Sequence, residues 1–190
     1  MTDWAARRRV LAAGLALFPR HPSACHPGCV NDQNTVADEL PAIPVSAGAL
    51  VFDQAGRLLI LKPTYKTGWT IPGGVVEADG ETPWDACRRE VLEECGIEVS
   101  SGRLACTDYR PGRPGHPGGI RFLFDCGPAD DADLAAIRLQ PEEIAEYRLV
   151  PLDAALALLR PPIRRRVRAV SRHRGFVYLE DGRPVPGIRS

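Results

Sequence analysis

Three glutamates, Glu90, Glu93 and Glu94, constrain this chain more than any other feature. They lie in the stretch W-T-I-P-G-G-V-V-E-A-D-G-E-T-P-W-D-A-C-R-R-E-V-L-E-E-C-G-I, from Trp69 to Ile97. Their i, i+3, i+4 spacing puts all three carboxylates on one face if the segment is helical. The local signals say that it is. Thr82 suits the N-cap, where its hydroxyl accepts a backbone N–H, Pro83 fits the first helical position, and Asp85 stands three residues on, as in a capping box. Gly96 is the natural stop, because glycine takes the left-handed conformation that ends helices. The spacing therefore predicts a helix over 83–95. Trp84, Val91, Leu92 and Cys95 fall on its other side and should face a core, with Arg88 the one misfit.

Like charges on one helical patch repel one another. One reading is a solvated acidic face, softened by Arg89, which reaches Glu93 at i+4. A binding reading competes with it, because a short apolar strand and the turn Gly73-Gly74 precede the helix. A Gly-Gly turn lets backbone carbonyls approach a ligand closely. Carboxylate oxygens beside a carbonyl form a hard-oxygen set, suited to Mg²⁺ or Mn²⁺.

The arrangement resembles the Nudix box, G-x5-E-x7-R-E-U-x-E-E-x-G-U, where U is a bulky apolar residue. Here Glu81 is followed by seven residues and then by Arg89-Glu90-Val91-Leu92-Glu93-Glu94-Cys95-Gly96-Ile97, so every fixed position from Glu81 onward matches. The departure is upstream: six residues, not five, separate Gly74 from Glu81. An extra residue in the exposed turn Ala78-Asp79-Gly80 is cheap. It leaves the helix untouched and bears only on where the Gly74 carbonyl sits. The resemblance implies an α/β/α sandwich around a mixed β-sheet, and a hydrolase that cleaves a diphosphate linked to another moiety. It implies Mg²⁺, with Mn²⁺ as a substitute, held by Glu90, Glu93 and Glu94 with the Gly74 carbonyl. Glu90 and Glu94 are then the strongest ligands, and Arg89 orients Glu81 and the box carboxylates. The general base is one of the box glutamates or a downstream carboxylate such as Glu143. A non-catalytic nucleotide sensor is the alternative from another class, and such domains usually lose box glutamates. Among enzymes, ADP-sugar, (d)NTP, dinucleoside polyphosphate and isoprenyl diphosphate substrates stay open.

The 190 residues suit one domain with extensions. The reading is an N-terminal extension over 1–43, a Nudix domain over 44–160 and a C-terminal extension over 161–190. The formal net charge is zero, so bulk electrostatics give no reason to expect nucleic acid or an anionic membrane as partner. No run of 18 apolar residues exists, which excludes a membrane-spanning helix. Cys87, Cys95, Cys106 and Cys126 are dispersed among apolar neighbours, as in a reducing compartment, and the expected location is cytoplasmic. The first 43 residues hold a possible helix over 2–18. The same region partly resembles an export signal at Arg7-Arg8-Arg9, but its apolar run of nine residues is short for that role. His21, Cys25, His26 and Cys29 are too loosely spaced for a zinc knuckle. A homodimer stays open.

From Pro44 the pattern is regular. Ser46–Phe52 and Arg57–Lys62 read as a β-hairpin, Trp69–Ile71 as a third strand, and Ile97–Val99, Leu104–Thr107 and Ile120–Cys126 as further strands. The Pro/Gly-rich connection 108–119 and the polar segment 128–139 read as loops. Glu142–Pro151 resembles the closing segment of Nudix domains, where an acidic residue reaches back to the metal. Glu143 and Glu146 are the candidates there. A last helix over 154–159 and a basic helix face, Arg164–Arg168, follow. Substrate selection belongs to loops, and the candidates are Tyr65, Lys66, Trp69, Arg110 and Arg113. The partner implied is a small-molecule diphosphate.

Overall fold

The structure, a computed structural model, describes residues 42–173 and 175–188. The expected N-terminal helix and the His21/Cys25/His26/Cys29 cluster lie outside the described residues. The strands are β1 (Val45–Phe52), β2 (Leu58–Pro63), β3 (Gly73–Val75), β4 (Arg103–Arg110), β5 (Gly119–Pro128), β6 (Ile144–Val150), β7 (Val177–Glu180) and β8 (Arg183–Pro184). They form one mixed sheet in the order β6-β2-β1-β5-β4-β7-β8, with β3 paired to β1 beside that path. The pairs β1–β5 and β4–β7 are parallel and the others antiparallel.

Strand alternation explains the two buried faces. Ala47, Ala49, Val51, Leu59 and Leu61 point to one side, under helix α1 (Pro83–Cys95). Leu50, Leu58 and Ile60 point to the other, under α3 (Leu152–Leu158) and α4 (Pro161–Ser171). The result is the α/β/α sandwich that the resemblance implies. A short α2 (Asp131–Ala135) interrupts the expected loop 128–139.

Helix α1 begins and ends as its sequence dictates. The Asp85 N–H donates to Thr82 Oγ1 at 3.1 Å, and the Thr82 hydroxyl donates to Asp85 Oδ2 at 2.7 Å. Gly96 has φ 73°, and its N–H donates to the Leu92 carbonyl. Thr82→Ala is expected to cost about 1 kcal/mol, the usual worth of such a cap, read by urea unfolding. A wild-type midpoint would show that water replaces the cap. The core face differs from the expectation in one respect. Ala86, Cys87, Val91 and Cys95 are fully buried, whereas Leu92 is 47% exposed. Trp84 is half-buried, its ring 5.0 Å from that of Phe124. Arg88 covers the flank of the helix and donates from Nε to the Val99 carbonyl.

Two further expectations change. The strand expected at Trp69–Ile71 lies later, at Gly73–Val75, while Trp69 and Thr70 make single bridges to Leu159 and Leu61. Ile97 and Val99 are buried, but they join no ladder. The segment after 160 adds Ile163, Val167, Val177 and Leu179 to the core, and β7 extends the sheet beside β4. The basic run therefore has two sides. Arg166 turns inward toward Asp108, a buried carboxylate that also accepts the Gly182 N–H at 2.8 Å. Arg168 stays exposed.

Candidate active site

The site grows from the contact of α1 with β3. Strand β1 gives one end of its edge to β2 at Phe52 and the other to β3 at Ser46–Gly48. That places Gly73 and Gly74 against α1. The Gly73 N–H donates to Glu94 Oε2 at 2.8 Å. At Gly74 a Cβ would overlap the Glu90 carboxylate, coming within 2.5 Å of its Cδ. A side chain at this position would displace the Glu90 carboxylate. The extra residue before Glu81 is absorbed in the turn at 78–80, where Gly80 has open space around it.

Arg89 organises the carboxylates. Its Nε donates to Glu81 Oε1 at 2.7 Å, its Nη1 to Glu90 Oε1 at 2.8 Å and Glu93 Oε2 at 3.2 Å, and its Nη2 to Glu81 Oε2 and the Val75 carbonyl, both at 3.1 Å. Hydrogen bonding to Arg89 holds the Glu81 carboxyl below the usual carboxylate range. Glu90 is pushed upward by burial, against the pull of Arg89. Glu94, only 4% exposed, is pushed up to about 8, first by burial and then by the charges of Glu90, Glu143 and Glu93, while the Gly73 N–H opposes the shift. Four acidic groups thus share one small volume, and the single guanidinium among them has each of its nitrogens engaged. Hard oxygen donors short of positive charge fit a divalent cation. Among the described residues no three Asp, Glu, His or Cys side chains are close enough to hold an ion as they stand.

The loop after β2 is tied to the segment that leads into β6. The Thr64 N–H donates to the Glu143 carbonyl at 2.8 Å, and the Thr64 hydroxyl to that of Glu142, also at 2.8 Å. Tyr65 follows, with an exposed ring. Its hydroxyl is pushed above the usual range by desolvation and by Glu94, Glu143 and Glu90, with Arg160 pulling the other way. Tyr65, Glu143 and the box carboxylates therefore share one field. Lys66 Nζ stands 4.6 Å from the centre of the Tyr65 ring.

Other expected residues sit elsewhere. Glu146 pairs with Arg148 at 2.7 Å and Lys62 at 3.8 Å on the β2–β6 ladder. Trp69 is 7% exposed, packed in the core with the Arg148 guanidinium over its ring. Arg110 and Arg113 face Asp181, at 3.8 and 3.5 Å, and no hydrogen bond or ion pair joins them to the box carboxylates among the described residues. No sequence signal singles out Arg160, which stands between the apolar end of α3 and Pro161. Yet it reaches the loop of Tyr65.

Comparison with known proteins agrees with this geometry. The family model for the NUDIX domain matches residues 42–170. A MutT-like protein of Streptomyces ambofaciens is 33% identical over 125 residues, 60% of this chain and 78% of that protein. A CMP-5'-(N-acetyl-N-hydroxy-3-aminopropyl)phosphonate hydrolase of Streptomyces rubellomurinus is 33% identical over 132 residues, which span 66% of this chain and 60% of that protein. The crystal structure of a MutT protein from Methanosarcina mazei Go1 superposes with a TM-score of 0.58 at 27% identity, covering 68% of this chain and 94% of that one. With its box carboxylates gathered on α1 and the family model matched over most of its length, the chain belongs to the NUDIX family, as one of its pyrophosphohydrolases.

Proposed function

We propose that this pyrophosphohydrolase cleaves the phosphoanhydride of a nucleoside diphosphate linked to another moiety, with a divalent cation, Mg²⁺ or Mn²⁺. The observation that carries the reading is the crowd of box carboxylates against Gly73 and Gly74, with Arg89 spent on holding them in place. Glu90, Glu93 and Glu94, with the Gly74 carbonyl, would hold the cation, which when bound neutralises phosphate oxygens and acidifies water. The chain itself supplies position and charge. Arg89 fixes Glu81, Glu90 and Glu93 in one array, so little reorganisation is needed during reaction. The Gly73 N–H fixes Glu94. A box glutamate or Glu143 takes the proton of the attacking water, which approaches phosphorus in line with the leaving group. We place substrate recognition on the side of Tyr65 and Lys66 rather than on Arg110 and Arg113, whose guanidinia face Asp181. A nucleotide substrate is favoured by the Streptomyces rubellomurinus relative, a hydrolase whose substrate is CMP-linked.

The test is a screen of the purified full chain against nucleoside diphosphates linked to sugars, nucleosides and other alcohols, with Mg²⁺ and with Mn²⁺. Hydrolysis, read as phosphate released after phosphatase treatment, is expected for one subset and should vanish with EDTA. Turnover that persists in EDTA removes the cation from the mechanism. A library left intact under both ions overturns the reading.

A further inference from the structure

We propose that the cleft between α3 and α4 is a second anion-binding site, one that takes a small molecule carrying two or more phosphate groups. The inference is independent of the hydrolase reading above. It starts from the basic run, which the chemistry of the box leaves unused. Two of its arginines are spent on structure: Arg165 Nη2 pairs with Asp181 at 3.0 Å, and Arg166 turns inward to Asp108. Arg164, Arg168 and Arg172 are spent differently. Spaced i, i+4, i+8, they share one face of α4 and its C-cap, with about 6 Å of helix between neighbours. Among the described residues none of the three makes an ion pair.

All three arginines line one cleft of about 440 Å³, whose opposite wall is α3. Arg164 is fixed at its inner end. Its Nε and Nη2 donate to the Leu159 carbonyl at 3.2 and 3.0 Å, and Nη2 also reaches the Ala157 carbonyl at 3.3 Å. These carbonyls belong to the last turn of α3, which has no helical partners of its own to offer them. Arg168 and Arg172 follow along the same wall and are exposed. Asp153 is the one acid of the lining, so three arginines less one aspartate leave a formal charge of +2.

Uncompensated positive charge along a concave wall draws anions in, even on a chain whose net charge is zero. Planar guanidinium forks match phosphate oxygens in particular. The apolar part of the lining gives a ligand little to hold, because Leu156 is buried and Leu152 half-buried. Polar contacts must therefore carry the binding, which disfavours an acyl chain. Volume sets the size. The 440 Å³ lies within the range of small-molecule sites, about 300–1,000 Å³. Two turns of a partner helix about 10 Å across would need roughly twice that space. Cations about 6 Å apart along the helix instead suit phosphate groups carried on one small molecule.

The test uses the full chain in EDTA with inorganic triphosphate, binding being read by calorimetry. Without a cation the box carboxylates repel the probe, so the wild type should bind it through the cleft and lose it as NaCl rises. The double variant Arg168→Gln/Arg172→Gln should bind about 10- to 100-fold more weakly, the scale for losing hydrogen bonds to a charged group. Glu94→Gln should bind the probe as the wild type does. Thermal melting checks folding, and Arg168→Gln alone carries the test if the double variant does not fold. No binding by the wild type, equal Kd in the folded arginine variants, or binding lost in Glu94→Gln overturns the assignment. So does capture of phosphatidylserine vesicles or single-stranded RNA by a wild type that ignores triphosphate. Failure of the substrate screen would leave this result untouched, because no turnover enters it.

Discussion

Glu94→Gln is expected to lower turnover by about 10² or more while the fold stays intact, the scale for losing one strong electrostatic contributor. Glutamine keeps the shape of the side chain, and its amide oxygen still accepts the Gly73 N–H. What disappears is a negative charge that burial and three neighbouring carboxylates already disfavour. Folding stability without added cation should therefore hold or rise, because a buried like charge is relieved. The cation should show the opposite sign: Mg²⁺ stabilises the wild type by mass action and the variant much less. Phosphate release at saturating Mg²⁺, beside thermal melts with and without the ion, separates these effects. Wild-type turnover in a folded Glu94→Gln protein would remove Glu94 from the site.

How much of this was legible in the sequence depended on how local the cause was. The limits of α1 are set by Thr82, Pro83 and Gly96, all within the segment, and the helix begins and ends where they dictate. Its rotation is not local. Ala86 and Cys87 are small enough to lie flat on the sheet, and they turn Leu92, the larger apolar group, outward. The third strand forms at Gly73–Val75 because β1 needs a partner for Ser46–Gly48 once β2 has left that edge, a demand that Trp69–Ile71 cannot announce. Glu143 and Glu146 look alike in sequence. The β2–β6 register separates them, placing Glu146 opposite Lys62 and leaving Glu143 just before the strand, beside Thr64. Arg110 and Arg113 meet Asp181 from a turn some seventy residues later, and Arg160 meets a loop some ninety residues earlier. Pairings of that range have no sequence period to betray them.

The two adjacent glycines should separate stability from activity. Gly73 has φ 142°, and a Cβ there would overlap the Ala47 carbonyl and stand 2.6 Å from Gly48 Cα. Both obstacles are backbone of the central strand β1, which cannot move without breaking its ladder with β5. Gly73→Ala therefore combines an unfavourable φ with overpacking, and we expect a loss of about 3 kcal/mol or more. At Gly74 the obstacle is different, the end of the Glu90 side chain. That carboxylate can swing away, at the cost of its hydrogen bond to Arg89 Nη1. Gly74→Ala should then melt close to wild type, within about 1 kcal/mol, because the hydrogen bond given up is partly exposed. Its turnover should nonetheless fall by about 10², as for loss of a positioned carboxylate. Urea unfolding and initial rates on the two variants decide the matter. The pattern expected is an unstable Gly73→Ala and a stable, slow Gly74→Ala. The reverse pattern, or equal stability in both, would mean that β3 does not press on β1 and α1 in the way these contacts require.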